Sequence, residues 1–401
     1  MTSKTPLWTR DFIMVSTSNF LLFISFYMLM VTLAVYSVDN FHASQSEAGL
    51  ASSIFVLGAL LIRPIAGKII ETVGKKKLLI IGLALFLVFS LLYFPISDLT
   101  ILFLIRFVHG FTFGICTTAT GTIAADIIPV IRRGEGMGYF ATSMNLAMAI
   151  GPFLGLIIIQ YFPDKTIFVV TTLFAVIALV ATLFLQVPKE ETKARNIQKG
   201  FQISDYMEKS TIPIGVLMVV SGFVYSSILT FLTTFAKEIN LVDAASFFFV
   251  MYAVFLLISR PFTGKLFDLR GENAVIYPSI VLFGIGLVLL SQSYIGVTLL
   301  VAGAVIGIGF GTLQSSAQTV AVNKVPKQRI GLATSTFFVF YDFGIAIGPF
   351  LLGFLLSLTG YRGLYLTMAA IAFSSIFIYY IVHGKKSSTK QKEAKKVETI
   401  A

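Results

Sequence analysis

Few side chains in this 401-residue chain can carry chemistry, and their positions limit what that chemistry is. Asp342 is the one acid deep inside an apolar stretch, and Arg106 and His109 stand three residues apart inside another. A carboxyl taken out of water resists ionisation, which moves its proton affinity toward the physiological range. Asp342 can therefore take up and release a proton, meet a cationic substrate, or serve as a structural polar contact to a neighbouring helix. A cationic side chain inside a spanning helix costs about 2.5–3.5 kcal/mol on insertion scales. Arg106 has two readings: coupling or substrate contact, and a structural hub bonded to helix carbonyls. His109 can relay protons, but Arg106 at i, i+3 discourages its charged form, so a packing role is the plainer reading. Arg63 and Arg260 fall at the ends of apolar stretches, where snorkelling explains them. No nucleophile–His–acid set, no Cys/His metal cluster around the lone Cys116, and no phosphate-cradling GxxxxGK[ST] loop occurs in the sequence. The expectation is a protein that is not an enzyme, with no metal and no cofactor.

The elements that must position these groups follow from composition. Hydrophobic residues make up 56% of the chain and charged residues only 12%, with 39 Phe and a mean hydropathy of +0.89. A soluble domain carries about a quarter charged residues, so this surface must be covered by lipid. Apolar runs between charged or turn-forming punctuation predict an all-α membrane protein of twelve spans. They fall at roughly 12–38, 46–66, 78–96, 99–123, 134–159, 166–186, 212–235, 246–264, 274–291, 295–321, 330–358 and 361–382. The first follows Lys4 and Arg10 but is too long for a secretory signal, and reads as a retained helix.

The net charge of +11 is topological. Lys and Arg number 24 on the termini and even-numbered loops, against three on the odd-numbered loops (Lys165, Lys237 and Arg362). That bias predicts cytoplasmic termini and a multi-pass protein of the plasma (inner) membrane. It leaves no basic domain for nucleic acid. The expected organisation is a six-helix half over 1–186, a charged cytoplasmic linker over 187–210, a second six-helix half over 211–383, and a disordered basic tail over 384–401. The tail reads as a solvated topology signal, with contact to anionic lipid as the alternative.

A shift of 197 residues aligns the two halves without gaps over much of their length. Arg63-Pro64, Gly67-Lys68 and Gly74 fall on Arg260-Pro261, Gly264-Lys265 and Gly271. Gly110 and Gly114 fall on Gly307 and Gly311, and the run from Ala149 through Gly151-Pro152 to Leu154 falls on Ala346 through Gly348-Pro349 to Leu351. Six spans per half give both halves one orientation, related by a pseudo-two-fold axis along the membrane normal. Parallel repeats of that kind place a binding site near the midplane and open it by rocking.

These residues resemble the major facilitator superfamily, and within it the twelve-helix drug–proton antiporter branch. The family's loop signature G-x-x-x-D-R-x-G-R-[KR]-[KR] is similar to Gly67 through Glu71 and Gly74 to Lys75-Lys76-Lys77, with Glu71 for Asp, Thr72 for Arg and Lys75 for Arg. A second copy runs from Gly264 through Asp268 to Gly271, with Leu269 for Arg. The family's buried-Arg motif R-x-x-Q-G resembles Arg106 to Gly110, with His109 for Gln. The antiporter-associated pattern G-x-x-x-G-P-x-x-G-G resembles Ala147 through Gly151-Pro152 to Gly155-Leu156, and its second copy runs from Gly344 through Gly348-Pro349 to Gly353. The resemblance implies a gating role for Gly67, Glu71, Gly74, Lys75, Gly264, Asp268 and Gly271. Glycines at the junctions would allow sharp turns, and the acid would face a helix N-terminus. The alternative is that these charges only set topology. Gly151, Pro152, Gly155, Gly348, Pro349 and Gly353 are expected to pack helices closely.

Candidate cavity residues stand on repeat-related helices: Asn19, Phe23, Phe26, Tyr27 and Met30 in the first span, and Tyr225, Ser226 and Thr230 in the seventh. Asn145, the repeat mate of Asp342, and Gln314 and Gln318 join them. Aromatic, Met and hydroxyl linings suit lipophilic or weakly polar molecules, although lipid-facing Phe is the default in so Phe-rich a chain. The expected function is secondary transport by alternating access: proton-coupled efflux of small lipophilic compounds. Its partners would be a small-molecule substrate, protons and membrane lipid, with the protein a monomer. The alternatives are a transporter of the same fold for a defined polar metabolite, and a membrane sensor that moves nothing.

Overall fold

The computed structural model describes residues 6–129, 132–187, 207–323, 325–326 and 329–385. The predicted linker therefore lies largely outside the described residues, as does nearly all of the predicted tail. The described residues are helical throughout, without a strand. In chain order the helices are α1 (Arg10–Phe41), α2 (Gln45–Val73), α3 (Lys75–Leu91), α4 (Leu99–Ile127), α5 (Arg133–Tyr161) and α6 (Thr166–Leu183). After them come α7 (Ile212–Glu238), α8 (Val242–Arg270), α9 (Asn273–Ser291), α10 (Gly296–Ile306), α11 (Thr312–Asn323) and α12 (Ile330–Tyr379). A π turn, Gly307–Gly311, joins α10 directly to α11.

Local chemistry sets the ends. The Thr9 side chain accepts from Phe12 N to start α1, and Asp98 Oδ1 accepts from Ile101 N at 3.0 Å to start α4. At α2 a reciprocal pair forms: Ser44 N donates to Glu47 Oε2 at 2.8 Å, and Glu47 N donates to Ser44 Oγ at 3.3 Å. That is a capping box, two otherwise orphaned donors satisfied together.

Nine stretches among the described residues are long and apolar enough to cross a membrane, against the twelve expected. The difference arises at three places. The last stretch, Leu332–Gly384, is a single run of 53 residues, at 1.5 Å per residue about 80 Å, against a hydrocarbon core of ~30 Å. It breaks at Gly360, whose φ of 66° and ψ of 175° are not helical. The α3 helix has 17 residues, and the part of α5 whose side chains are described without interruption is the shorter apolar stretch Leu146–Tyr161. The outward side of α6 carries Val169, Leu173, Val176, Ile177 and Val180, all exposed. An apolar stripe at that spacing is covered by lipid, as a multi-pass membrane protein requires.

One expected turn, at Gly67, is corrected. Gly67 and Gly264 lie inside α2 and α8 rather than in loops, with open space where a Cβ would stand. The helices run on because Ile69, Ile70 and Val73, and likewise Leu266 and Phe267, continue the helical apolar pattern. At these two junctions the chain turns at Gly74 and Gly271, with φ of 88° and 79°. Those positive values suit glycine and few other residues.

The chain divides into two compact units, residues 1–43 with 50–201, and residues 44–49 with 202–401. In the first, α1 packs along α5, α6 and α4, and α3 against α4 and α6. Gly151 and Gly155 let α5 approach α1 at Tyr27 and Thr32. In the second, α12 packs along α7 and α9, with Gly348 against Ser226 and Gly344 against the Val219 carbonyl. Gly353 meets the Ser46 backbone, and Ser46 Oγ donates to Phe350 O at 3.0 Å. Pro152 and Pro349 are buried beside these glycines, within α5 and α12.

Candidate functional site

In the first unit the buried charge is held by backbone. Arg106 is fully buried. Its Nε donates to Ala51 O at 3.1 Å and its Nη2 to Ser52 O at 3.0 Å, both on α2. The guanidinium carbon stands 4.4 Å from the centre of the Phe55 ring, a cation–π distance. His109, also fully buried, lies one turn along α4 with Nδ1 2.9 Å from the hydroxyl of Tyr93, in the turn that follows α3, which also interacts with Arg106. The simplest assignment has Tyr93 donating to His109 Nδ1, so that the ring proton sits on Nε2. Nε2 and Arg106 Nη1 have no hydrogen-bond partner among the described residues. Together these contacts tie α2, α3 and α4 to one another.

Beside this polar knot lies an aromatic cluster. Phe26, Phe55 and Phe113 stand 5.1–5.6 Å apart, and Phe23 meets Phe113 at 5.2 Å. Tyr27 packs on Phe26 at 4.7 Å, and Met30 is fully buried. Asn19 bridges three helices: its Oδ1 accepts from Thr120 Oγ1 at 3.0 Å, and its Nδ2 donates to Ser143 Oγ at 3.4 Å. The side chain of Asn145 lies outside the described residues.

The second unit builds the related positions differently. Tyr225 stacks on Phe310 at 4.0 Å and 12°, Tyr252 lies 6.1 Å from Tyr225, and Phe283 lies 5.0 Å from Phe310. The 197-residue offset places Tyr252 on Phe55, Phe310 on Phe113 and Phe283 on Phe86, while Arg106 and His109 fall on Gly303 and Ile306. Close helix contact is reproduced in each unit: a Cβ on Gly110 would stand 2.0 Å from Phe55 O, and one on Gly307 2.2 Å from Tyr252 O. Ser226 donates back to Phe223 O at 2.7 Å, and Thr230 Oγ1 is buried without a partner among the described residues. Asp342 is half-buried on α12, twelve residues from the start of that helix, and Tyr341 beside it is buried. Gln314 is buried and Gln318 half-buried on α11.

At the α2–α3 junction Lys75 forms an ion pair with Asp126 in the last turn of α4. The side chains of Glu71 and Asp268 lie outside the described residues. The repeat mates of Lys75 and Asp126 are Glu272 and Asn323, and Glu272 instead meets His383 Nε2 beyond α12. Just before α7, Glu208 pairs with Arg329 Nε at 2.6 Å and accepts from Ser210 Oγ at 2.9 Å. Partial burial pushes the Glu208 carboxyl up, but the Ser210 hydrogen bonds and the Arg329 charge outweigh it and hold the group below the usual carboxylate range.

Sequence reasoning missed Tyr93, Tyr252, Phe310 and Asp126. The repeat offset held the signal for two of them, since it sets Tyr252 and Phe310 opposite a Phe pair. Asp126 stands within reach of the Lys75–Lys77 run only once α4 extends to Ile127.

Comparison with known proteins gives the family. A family model described as Major Facilitator Superfamily matches residues 15–272 and 214–400. The MFS-type transporter MJ1560 of Methanocaldococcus jannaschii is 24% identical over 86% of this chain and 89% of its own. The quinolone resistance protein NorA of Staphylococcus aureus is 22% identical over 93% of this chain and 97% of its own. Among solved structures, the nucleoside transporter NupG superposes with a TM-score of 0.71 at 14% identity, covering 92% of this chain and 99% of that one. A bacterial homologue of the human lysosomal transporter Spinster gives 0.74 at 12% identity, over 95% and 96%. The chain belongs to the Major Facilitator Superfamily, a family of small-molecule transporters.

Proposed function

We propose that this protein is a proton-coupled exporter of small lipophilic compounds, working by alternating access in the plasma membrane. The observation that carries the reading is Asp342, a carboxyl half-buried on an apolar helix, about 18 Å along from its start at 1.5 Å per residue. A proton held there would be exchanged for substrate, and the membrane potential contributes about 2.3 kcal/mol per charge per 100 mV. Similarity over nearly the whole of both chains to NorA, a quinolone resistance protein, supports efflux as the direction. Two six-helix halves in parallel repeat, joined by a cytoplasmic linker with both termini cytoplasmic, are the frame for rocking. The 197-residue repeat and the charge bias support that frame. Arg106 holds α2 and α4 together, and His109 backs it through Tyr93. Lys75 with Asp126, and the glycine turns at 74 and 271, brace the gating end of each half.

The test is uptake into inverted membrane vesicles. Ethidium should accumulate when an inward-acidic pH gradient is imposed, and should leak out when a protonophore collapses it. Accumulation that ignores the gradient would remove proton coupling, and no accumulation of any lipophilic compound would remove the exporter reading.

A further inference from the structure

The two units fasten the ends of their last helices differently, and one of the fastenings can titrate. In the first unit Lys76 Nζ, at the start of α3, donates to Leu183 O at the end of α6, at 3.1 Å. A carbonyl acceptor has no charge to lose. The repeat mates of Lys76 and Leu183 are Asn273 and Tyr380. There the second unit builds a network between the start of α9 and the turn Tyr380–Gly384 that follows α12. Tyr379 donates to Asn273 Oδ1 at 2.6 Å, and Asn273 Nδ2 donates to Gly384 O at 3.0 Å. His383 Nε2 meets Glu272 Oε1 at 2.5 Å, with the two side chains 5% and 22% exposed. Room is short: a Cβ on Gly384 would stand 2.4 Å from the Tyr277 hydroxyl.

Histidine is the side chain that ordinarily changes charge between about pH 5 and 8. A neutral imidazole with its proton on Nε2 donates to the carboxylate, and so does the charged ring, but the charged ring adds an ion pair. The contact is thus tightest at low pH and weakens as pH rises through the imidazole range. Shielding keeps the added attraction from being screened away, as it is for exposed pairs. The other titratable groups at this corner are the phenols of Tyr277, Tyr379 and Tyr380, with Arg270 ending α8 and Lys385 following the turn. The α7 helix also packs there and has no titratable side chain from Ile212 to Phe223. Phenols, guanidinium and ammonium groups do not ordinarily titrate where histidine does.

We propose that His383 and Glu272 form a pH-responsive clasp, closed by protonation, that fastens the end of the last helix to the start of α9. The charge bias puts this corner on the cytoplasmic side, so the clasp loosens the second unit there as the cytoplasm turns alkaline. The first unit, held by Lys76 on a carbonyl, stays fastened. The clasp does not rest on the exporter reading, and its test involves no substrate.

The experiment is amide hydrogen exchange on purified full-length protein in detergent at pH 6 and pH 8, corrected for the intrinsic exchange rate at each pH. In the wild type the amides of residues 380–384 should be about fivefold better protected at pH 6, the gain from charging one partner of a shielded hydrogen bond. Residues 181–185, at the matching end of the first unit, should be protected equally at both. His383→Gln keeps a donor that cannot charge, and Glu272→Gln keeps an acceptor without charge. Either variant should make protection of 380–384 the same at the two pH values. Equal protection of 380–384 in the wild type at both would overturn the clasp. So would an equal change at 181–185, which would mean a general loosening, or a wild-type pH dependence kept in both variants, which would place the titrating group elsewhere.

Discussion

The two aromatic clusters are built from repeat-related positions and meet buried polarity with different groups. In the first unit Phe55 lies under the Arg106 guanidinium, and the charge bonds to two carbonyls of α2. Those carbonyls belong to residues inside a helix, so the arginine uses their second lone pairs and breaks nothing. The Tyr93 hydroxyl is likewise occupied, by His109. In the second unit the equivalent arginine is Gly303, the equivalent histidine is Ile306, and the equivalent of Phe55 has gained a hydroxyl. Each cluster also keeps buried donors without a partner among the described residues, Arg106 Nη1 and His109 Nε2 in the first and Arg260 Nε in the second. A duplicated scaffold can thus keep the same backbone contacts while changing the polar groups set against them.

The largest effect should come from those shared contacts. A Cβ at Gly110 or Gly307 would stand little more than 2 Å from a carbonyl oxygen, where only backbone movement gives relief. Gly110→Ala and Gly307→Ala should each abolish recovery of folded, monodisperse protein from detergent, while Gly67→Ala, with open space around it, should behave as wild type. Recovery of either core variant at wild-type yield and melting temperature would break the claim that the two copies share this contact.

A smaller effect sharpens the contrast, because one chemical change should act differently in the two units. Tyr93→Phe removes a buried hydroxyl that is bonded to His109 and should lower stability by about 1 kcal/mol. Tyr252→Phe removes a buried hydroxyl whose neighbour is the Tyr225 hydroxyl rather than a histidine, and should lower stability by less. Thermal melts of the two purified variants decide it. Equal destabilisation would mean that the two hydroxyls are held alike.

Much of the fold was legible from the residues. The break between the expected spans 330–358 and 361–382 falls at Gly360, and the turn at Gly74 stands where the glycine pattern put it. The reach of α2 and α8 past Gly67 and Gly264 was not legible, because an exposed glycine in a helix and one in a turn look alike in sequence. The site was legible in its charges and poorly legible in its aromatics. Arg106 and Asp342 announce themselves by cost in an apolar helix. Tyr93 and Tyr252 are two among 15 tyrosines, and only packing shows which hydroxyl has a partner. The π turn had no signature beyond three glycines, since the matching stretch of α4 carries two of them and stays α-helical.

Proton coupling through Asp342 is the centre of this account. Asp342→Asn copies the protonated, neutral state of the side chain and also the residue found at the equivalent position 145. The variant should fold and still bind ethidium, since charge is removed without loss of volume. Proton release on adding ethidium to purified protein in weakly buffered detergent solution measures the coupling itself. Coupling through Asp342 predicts release from the wild type and none from Asp342→Asn at equal ethidium binding. Wild-type proton release from the variant would contradict it.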